Sequence, residues 1–139
     1  MMRKLDQRGV AAFEFCLVAV VFFTLVFAIF DLGRYAITMQ SLRHLAGAGA
    51  RAMMIQCYTP AVISNNSPSG CTGDYLSSTQ KQDVAPFLYA GGLSPTVATT
   101  SGGGMLTVTA SQPGFAMMMP IWGTSLNAPQ ASTQVPFSP

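Results

Sequence analysis

One acidic side chain, Glu14, lies just inside a long run of apolar residues near the N-terminus. An ionised carboxylate at the start of a membrane span costs on the order of 3 kcal/mol, depending on its depth, so it needs a partner. No basic residue lies between Val10 and Phe30. Glu14 can therefore pair with a cation from outside this stretch, or its carboxylate can snorkel to the interface. A proton relay would need further ionisable groups along the same helix, and this stretch contains none.

Proteolytic processing is one source of such a cation. If the chain were cut after Gly9, Val10 would carry a new α-amino group, and this group could pair with Glu14 of a neighbouring copy. The residues thus raise the hypothesis that Glu14 pairs charges between assembling helices, with a snorkelling glutamate as the alternative.

The other ionisable residues form no recognisable catalytic constellation. The chain has one histidine, His44, and past the apolar run its acidic residues are only Asp31, Asp74 and Asp83, scattered over predicted helix and loop. No metal-ligand spacing, nucleophile elbow or carboxylate pair is present in this pattern. We therefore expect a protein that is not an enzyme and that needs no cofactor or metal, with His44 packed or solvated on a helix.

The composition indicates a membrane anchor followed by one small domain. Of the 139 residues, 9% are charged and 50% are hydrophobic, which is too apolar for an ordinary soluble protein of this size. The excess is local, because residues 15–30, FCLVAVVFFTLVFAIF, contain no charge. With residues 10–13 the stretch reaches about 21 positions, roughly 31 Å of helix, which matches a bilayer core. The sequence therefore predicts a transmembrane helix over residues 10–31 and contact with membrane lipid.

Two other interpretations of this segment are less favourable. A secretory signal peptide has a basic start and an apolar middle, as here, but this middle is long and no small-x-small cleavage site follows closely. A buried core helix would need more apolar chain around it than the remaining residues supply.

The flanking charges and the cysteines bear on orientation. Basic residues precede the span at positions 3, 4 and 8 and follow it at positions 34 and 43, so the positive-inside rule favours a cytoplasmic N-terminus only slightly. Cys57 and Cys71 lie in a Pro/Ser/Asn/Gly-rich stretch, which suits a disulfide in an oxidising compartment, whereas two unpaired thiols are the alternative. A bridge would close a loop of about 15 residues and contribute on the order of 3 kcal/mol. Both signals favour a C-terminal domain outside the cytoplasm.

Beyond the span, the pattern predicts an amphipathic helix over residues 32–56 and a small α+β domain over residues 57–139. Apolar residues recur at intervals of three and four up to Met53, and AGAGA, residues 46–50, permits another backbone to approach closely. The domain is expected to contain a loop at residues 58–73, a short helix at 74–90, a β-hairpin at 96–111 and a closing strand at 128–137. The methionines at 117–119 are expected to fill the core, with a binding surface as the alternative. The predicted fold class is α+β: a long N-terminal helix packed on a short helix and a roughly three-stranded antiparallel sheet.

The N-terminal residues resemble a known family. Gly9, residues 10–13 and Glu14 followed by Phe15 look like the type IV prepilin signature, in which a membrane peptidase cuts after the glycine. The segments DLGR and AGARA are similar to the EFGR and REGARA segments of TadE-like proteins, the minor pilins or pseudopilins of tight-adherence (Flp-type) pili. The resemblance is close from Arg8 to Met53 and extends to the remainder only by pattern.

The resemblance implies a role for each matching residue. Gly9 would be the cleavage position after a leader at residues 1–9, Val10 the new N-terminus, and Glu14 the residue that neutralises a neighbour's amine. Phe15 stands where such pilins often carry tyrosine, and Val20 replaces a proline that kinks the helix of many relatives.

The resemblance also implies partners and a location. The partners would be the prepilin peptidase, other minor and major pilins and an inner-membrane assembly platform. The protein would lie in the inner membrane before assembly and in the pilus or at the cell surface afterwards, where it would support attachment. The alternative is a stationary single-pass membrane protein with an external binding or scaffolding domain. No nucleic-acid partner is expected, since past Arg51 the only basic residue is Lys81.

Overall fold

The computed structural model describes residues 7–137, with side chains from Gly9 onward. It confirms the predicted α+β class, because one long N-terminal helix is followed by short helices and a three-stranded antiparallel sheet. Residues 1–6 of the predicted leader lie outside the described residues.

The long helix runs without a break through the predicted span. Helix α1 covers Gln7–Met53, and it continues through Val20 as an ordinary α-helix. The Thr24 hydroxyl donates a hydrogen bond of 2.7 Å to the Val20 carbonyl, so the one polar side chain in residues 15–30 is paired within its own helix. The span therefore reaches the domain as a continuous rod.

The helical structure is longer than predicted, because it continues past residue 56 to Ile63. A π-helical turn, Met54–Tyr58, is followed by helix α2, Thr59–Ile63, so the predicted loop from residue 58 is wrong in its first six residues. The wider turn explains how the helix accommodates Pro60. The Thr59 N–H donates a hydrogen bond to the Met54 carbonyl, which is the spacing of a π-helix. Pro60 then lies in the first turn of α2, where a residue without an N–H costs no helical hydrogen bond.

The short helix of the domain is shorter than the predicted span of residues 74–90. Helix α3 covers Ser78–Val84 and starts at a capping box, in which the Ser77 side chain and the Gln80 side chain each accept a backbone N–H of the other. Asp74 instead pairs with Lys81. Pro86 ends the α-helix and opens a 3-10 segment, Pro86–Gly92.

The sheet agrees with the predicted hairpin and closing strand. Strands β1, Thr96–Gly102, β2, Met105–Ser111, and β3, Gln130–Pro136, pair antiparallel in the order β1-β2-β3. Gly103 and Gly104 form the two-residue turn between β1 and β2 with φ of 59° and 73°, a conformation that favours glycine.

The core lies between the second half of α1 and one face of the sheet. Its fully buried members on α1 are Leu42, Leu45, Ala46 and Met53, and those on β2 are Leu106, Val108 and Ala110. At Gly49 the two layers meet so closely that a Cβ would lie 3.0 Å from Val108 Cγ1 and 3.2 Å from Val97 Cγ1. The glycine-rich stretch thus permits the close approach that the sequence indicated.

We expect Gly49→Leu to lower the free energy of unfolding by about 1–3 kcal/mol, because the new side chain overpacks the contact with Val108 and Val97. Gly47→Leu is the matched control, since the Cβ position of Gly47 has open space around it. Leucine in place of this helical glycine should leave stability unchanged or raise it by up to about 1 kcal/mol. Chemical denaturation of the full chain in detergent micelles, followed by near-UV circular dichroism, measures both. Equal losses in the two variants would contradict close packing at Gly49.

Candidate functional site: the exposed apolar helix and its junction with the domain

The first half of α1, residues 10–30, is here called the apolar segment. Its exposed large side chains range from 53% exposure at Phe23 to 71% at Phe15, and the helix is long and apolar enough to cross a membrane. A surface of this kind is not stable in water, since each buried large apolar side chain is worth about 1.5–3 kcal/mol. The segment therefore requires lipid or other apolar helices around it.

The predicted processing and pairing residues all lie at the start of this segment. Gly9 and Val10 are helical, and no heavy atom lies within 4 Å of a Cβ built on Gly9. Glu14 and Phe15 are exposed, and none of the side chains that the structure describes forms an ion pair with Glu14. Val10 and Glu14 are four residues apart, so they share one helix face. Among the side chains described from Gly9 onward, none supplies a cation for Glu14.

The apolar segment ends at a buried carboxylate, Asp31, which the sequence analysis noted within the DLGR segment but to which it gave no role. Asp31 is 2% exposed, although it directly follows the exposed Phe30. Its Oδ1 and Oδ2 each accept the Met118 N–H at 3.1 Å, and Oδ2 also accepts the Met119 N–H at 3.0 Å. One Arg34 guanidinium nitrogen lies 3.5 Å from Oδ1. Asp31 thus fastens the end of the span to a loop 87 residues further along the chain.

The next turns of α1 continue this junction. The Arg34 guanidinium lies 5.4 Å from the centroid of the Phe115 ring, a cation-π geometry, and the Tyr35 ring lies 6.3 Å from the same ring. Thr38 is buried and donates its hydroxyl to the Arg34 carbonyl at 2.8 Å. The pair Asp31 and Arg34, at i and i+3 immediately after an uncharged run, is the sequence signal that could have located the junction.

The methionine run was expected to fill the core, and this is wrong for its central residue. Met118 is 77% exposed, whereas Met117 and Met119 are partly exposed. The reason is that Asp31 holds the backbone of this loop against the helix, which leaves the Met118 side chain on the outside.

The two cysteines proposed as a pair are bonded in the structure. The Cys57–Cys71 disulfide joins the π-helical turn to the end of the 3-10 segment Pro68–Gly70, with Cα atoms 5.8 Å apart. Cys71 is 1% exposed and belongs to the core cluster. Closing a loop of this size contributes on the order of 3 kcal/mol.

The remaining titratable residues do not converge. His44 is exposed on α1, Asp83 is exposed on α3, and Asp74 pairs with Lys81. Within residues 7–137, no group of three or more His, Cys, Asp or Glu side chains could hold a metal ion.

We expect Asp31→Ala to speed hydrogen exchange at the Met118 and Met119 amides and to lower stability by about 1–3 kcal/mol, because two N–H groups lose their acceptor. Asp83→Ala, at an exposed carboxylate, is the control and should leave both amides unchanged. Exchange of the full chain in detergent, read by mass spectrometry, measures the effect. Unaltered protection of the two amides in Asp31→Ala would show that the carboxylate does not hold the loop.

The geometry described above coincides with a family match. Residues 9–51 match the model of the family described as TadE-like protein. Comparisons with curated proteins and with solved structures gave no match. The matched residues run from the predicted cleavage position through the apolar segment, the Asp31 junction and most of the helix that packs on the sheet. Over residues 9–51 the long N-terminal helix of this chain is therefore similar to the TadE-like family, and this helix is long and apolar enough to cross a membrane.

Proposed function

We propose that this chain is a minor pilin, or pseudopilin, of a tight-adherence pilus. It is cut by a prepilin peptidase after Gly9, takes part in pilus initiation or tip assembly, and supports surface attachment. The observation that carries the proposal is the exposed apolar segment with one carboxylate near its start that no described side chain pairs, within a TadE-like match over residues 9–51.

Glu14 has a specific task in this mechanism. Removal of residues 1–9 leaves an α-amino group on Val10, and an amine inside a bundle of apolar helices is as costly as a carboxylate there. Pairing the amine of one copy with Glu14 of the next offsets part of both costs. Since lipid tails are as apolar as the helix surfaces, burial alone does not drive this association, and the charge pair sets the register between copies.

The apolar segment supplies the assembling surface. Its exposed phenylalanines and branched residues contact lipid in the inner membrane before assembly. When assembly motors extract the helix, contacts with sister pilin helices replace the lipid contacts. The partners are thus the prepilin peptidase, other minor and major pilins and the inner-membrane assembly platform.

The domain after the helix favours a position at the tip or in an initiation complex. It carries a three-stranded sheet and a disulfide and packs against α1 through a shared core, so it is too bulky for every subunit of a thin filament. The role is mechanical, without catalysis or a cofactor. The second candidate, a stationary single-pass membrane protein with a binding or scaffolding domain, differs in keeping its N-terminal residues.

Processing can be tested by intact-mass measurement of protein from its native host. We expect the wild-type mass to lack residues 1–9, and Gly9→Leu to retain them, because the peptidase requires a small residue at the cut. Gly33→Ala is the control, since Gly33 lies in the same helix with open space around its Cβ position, and it should be processed normally. A wild-type chain that still begins with Met1 would favour the stationary protein.

Assembly can be tested with Glu14→Gln, which keeps the shape of the side chain and removes its charge. We expect normal cleavage but a loss of assembled pili of about tenfold or more, because an unpaired amine in the bundle costs on the order of 3 kcal/mol. Thr24→Val, the other polar position of the apolar segment, should assemble normally, since the Thr24 hydroxyl is satisfied within its own helix. Piliation counted by electron microscopy provides the measurement. Wild-type piliation in Glu14→Gln would refute the pairing.

A further inference from the structure

We propose that residues 117–122, here called the junction loop, are a membrane-interface anchor of the domain. Its apolar side chains insert into the boundary between lipid headgroups and acyl chains, on the side of the bilayer where the domain lies. The occupant of this surface is lipid, and the inference goes beyond any role in pilus assembly.

The position of the junction loop along the helix axis follows from Asp31. Because helical side chains lean toward the helix N-terminus, the Asp31 carboxylate lies over the turn that contains Phe27 and Phe30. Asp31 accepts the N–H groups of Met118 and Met119 at 3.0–3.1 Å. The loop is therefore held within about one helical turn, 5.4 Å, of the end of the apolar segment. If the apolar segment lies in a bilayer, the loop lies at its interface.

The loop surface has the chemistry that lipid requires. Met118 is 77% exposed, Ile121 is 60% exposed, and the Trp122 side chain is partly exposed, with its Nε1 buried. Tryptophan is enriched at membrane interfaces, where its large ring lies at the level of the headgroups. The sequence contains no Asp, Glu, Lys or Arg from Val84 to its end, so insertion buries no charge of the loop.

Most backbone N–H groups of the loop, although not that of Ile121, already have an acceptor. Inside lipid an unpaired N–H costs several kcal/mol, so inserted segments must pair their own backbone groups. The Met117 N–H donates to the Asn127 side-chain oxygen at 3.0 Å, and those of Met118 and Met119 donate to Asp31. The Gly123 N–H donates to the Pro120 carbonyl at 3.1 Å, and Pro120 itself has no N–H.

The loop surface is continuous with the lipid-facing surface of the span. Phe27 and Phe30 of α1 line one shallow recess together with Met118, Met119 and Pro120. Arg34 also borders this recess, and its side chain is 42% exposed. It lies one turn beyond Asp31, at the level where lipid phosphates would pair with it. Lipid thus meets an unbroken apolar surface that ends in a cation.

The single tryptophan makes the proposal measurable, since Trp122 is the only one in the chain. The full chain is reconstituted at high lipid-to-protein ratio in vesicles of zwitterionic and anionic phospholipid, with lipids brominated either near the headgroup or near the chain end. We expect blue-shifted Trp122 emission, quenched more by the shallow bromines than by the deep ones. Emission that no brominated lipid quenches and that aqueous acrylamide quenches fully would overturn the proposal. Lipid quenching seen only at low lipid-to-protein ratio, where copies touch, would also overturn it.

Two reference positions calibrate depth in a Trp122→Phe background. Phe22→Trp, in the middle of the apolar segment, should be quenched more by the deep bromines. Ile63→Trp, at the far end of α2, should not be quenched by either lipid. An unquenched Phe22→Trp would show that the span is outside the bilayer and would overturn the anchor with it.

A substitution pair tests which side chains insert. The double variant Met118→Ser with Ile121→Ser should shift Trp122 emission to the red and reduce its quenching by shallow bromines. Ile55→Ser with Ile63→Ser is the matched control, because these side chains are 74% and 75% exposed but lie far from the span. Equal Trp122 quenching in both double variants would show that Met118 and Ile121 do not hold the loop in lipid.

Discussion

The Asp31 carboxylate is the point at which one helix passes between two environments. Phe30 before it is 68% exposed, whereas Asp31 itself and Thr38 beyond it are each 2% exposed. A buried carboxylate without partners would be strongly destabilising, but backbone N–H groups and a nearby guanidinium surround this one. The charge therefore joins the lipid-facing and protein-facing halves of α1 without interrupting the helix.

The packing of the domain follows from this attachment. The same face of α1 that begins at Asp31 continues through Thr38 and Leu42 to Gly49, where the sheet approaches most closely. At the far end, the disulfide from Cys57 ties the π-helical turn back to the core. The domain is thus attached to the helix along several turns, by a charge at one end and by a covalent bond at the other.

Local patterns in the sequence were sufficient for most elements. The hairpin was predictable because two runs rich in threonine and valine flank the glycines at residues 102–104. Two of these glycines, Gly103 and Gly104, adopt the positive φ of a tight turn. The apolar segment was predictable because residues 15–30 contain no charge, whereas the role of Glu14 stays a prediction. These features depend on neighbours in sequence, so one chain is enough to find them.

The features that were missed depend on distant residues or on competing local bonds. Asp31 holds the loop through the N–H groups of Met118 and Met119. No regular spacing in the sequence relates these two residues to Asp31. Helix α3 starts later than predicted because the capping box at Ser77 fixes its first turn. The residues before Ser77 therefore lie outside the helix. The helical stretch through Pro60 required a π-turn, whose wider geometry apolar periodicity does not reveal.

The unbroken rod from the apolar segment to the domain has a mechanical consequence. A pulling force along the axis of α1 is transmitted to the domain by many side-chain contacts between Asp31 and Cys57. These contacts share the force and are loaded in shear. The force does not pass through a single flexible hinge. Such an arrangement resists tearing, because no individual contact bears the whole tension. A protein anchored at one end and pulled at the other would keep its sheet folded under that force.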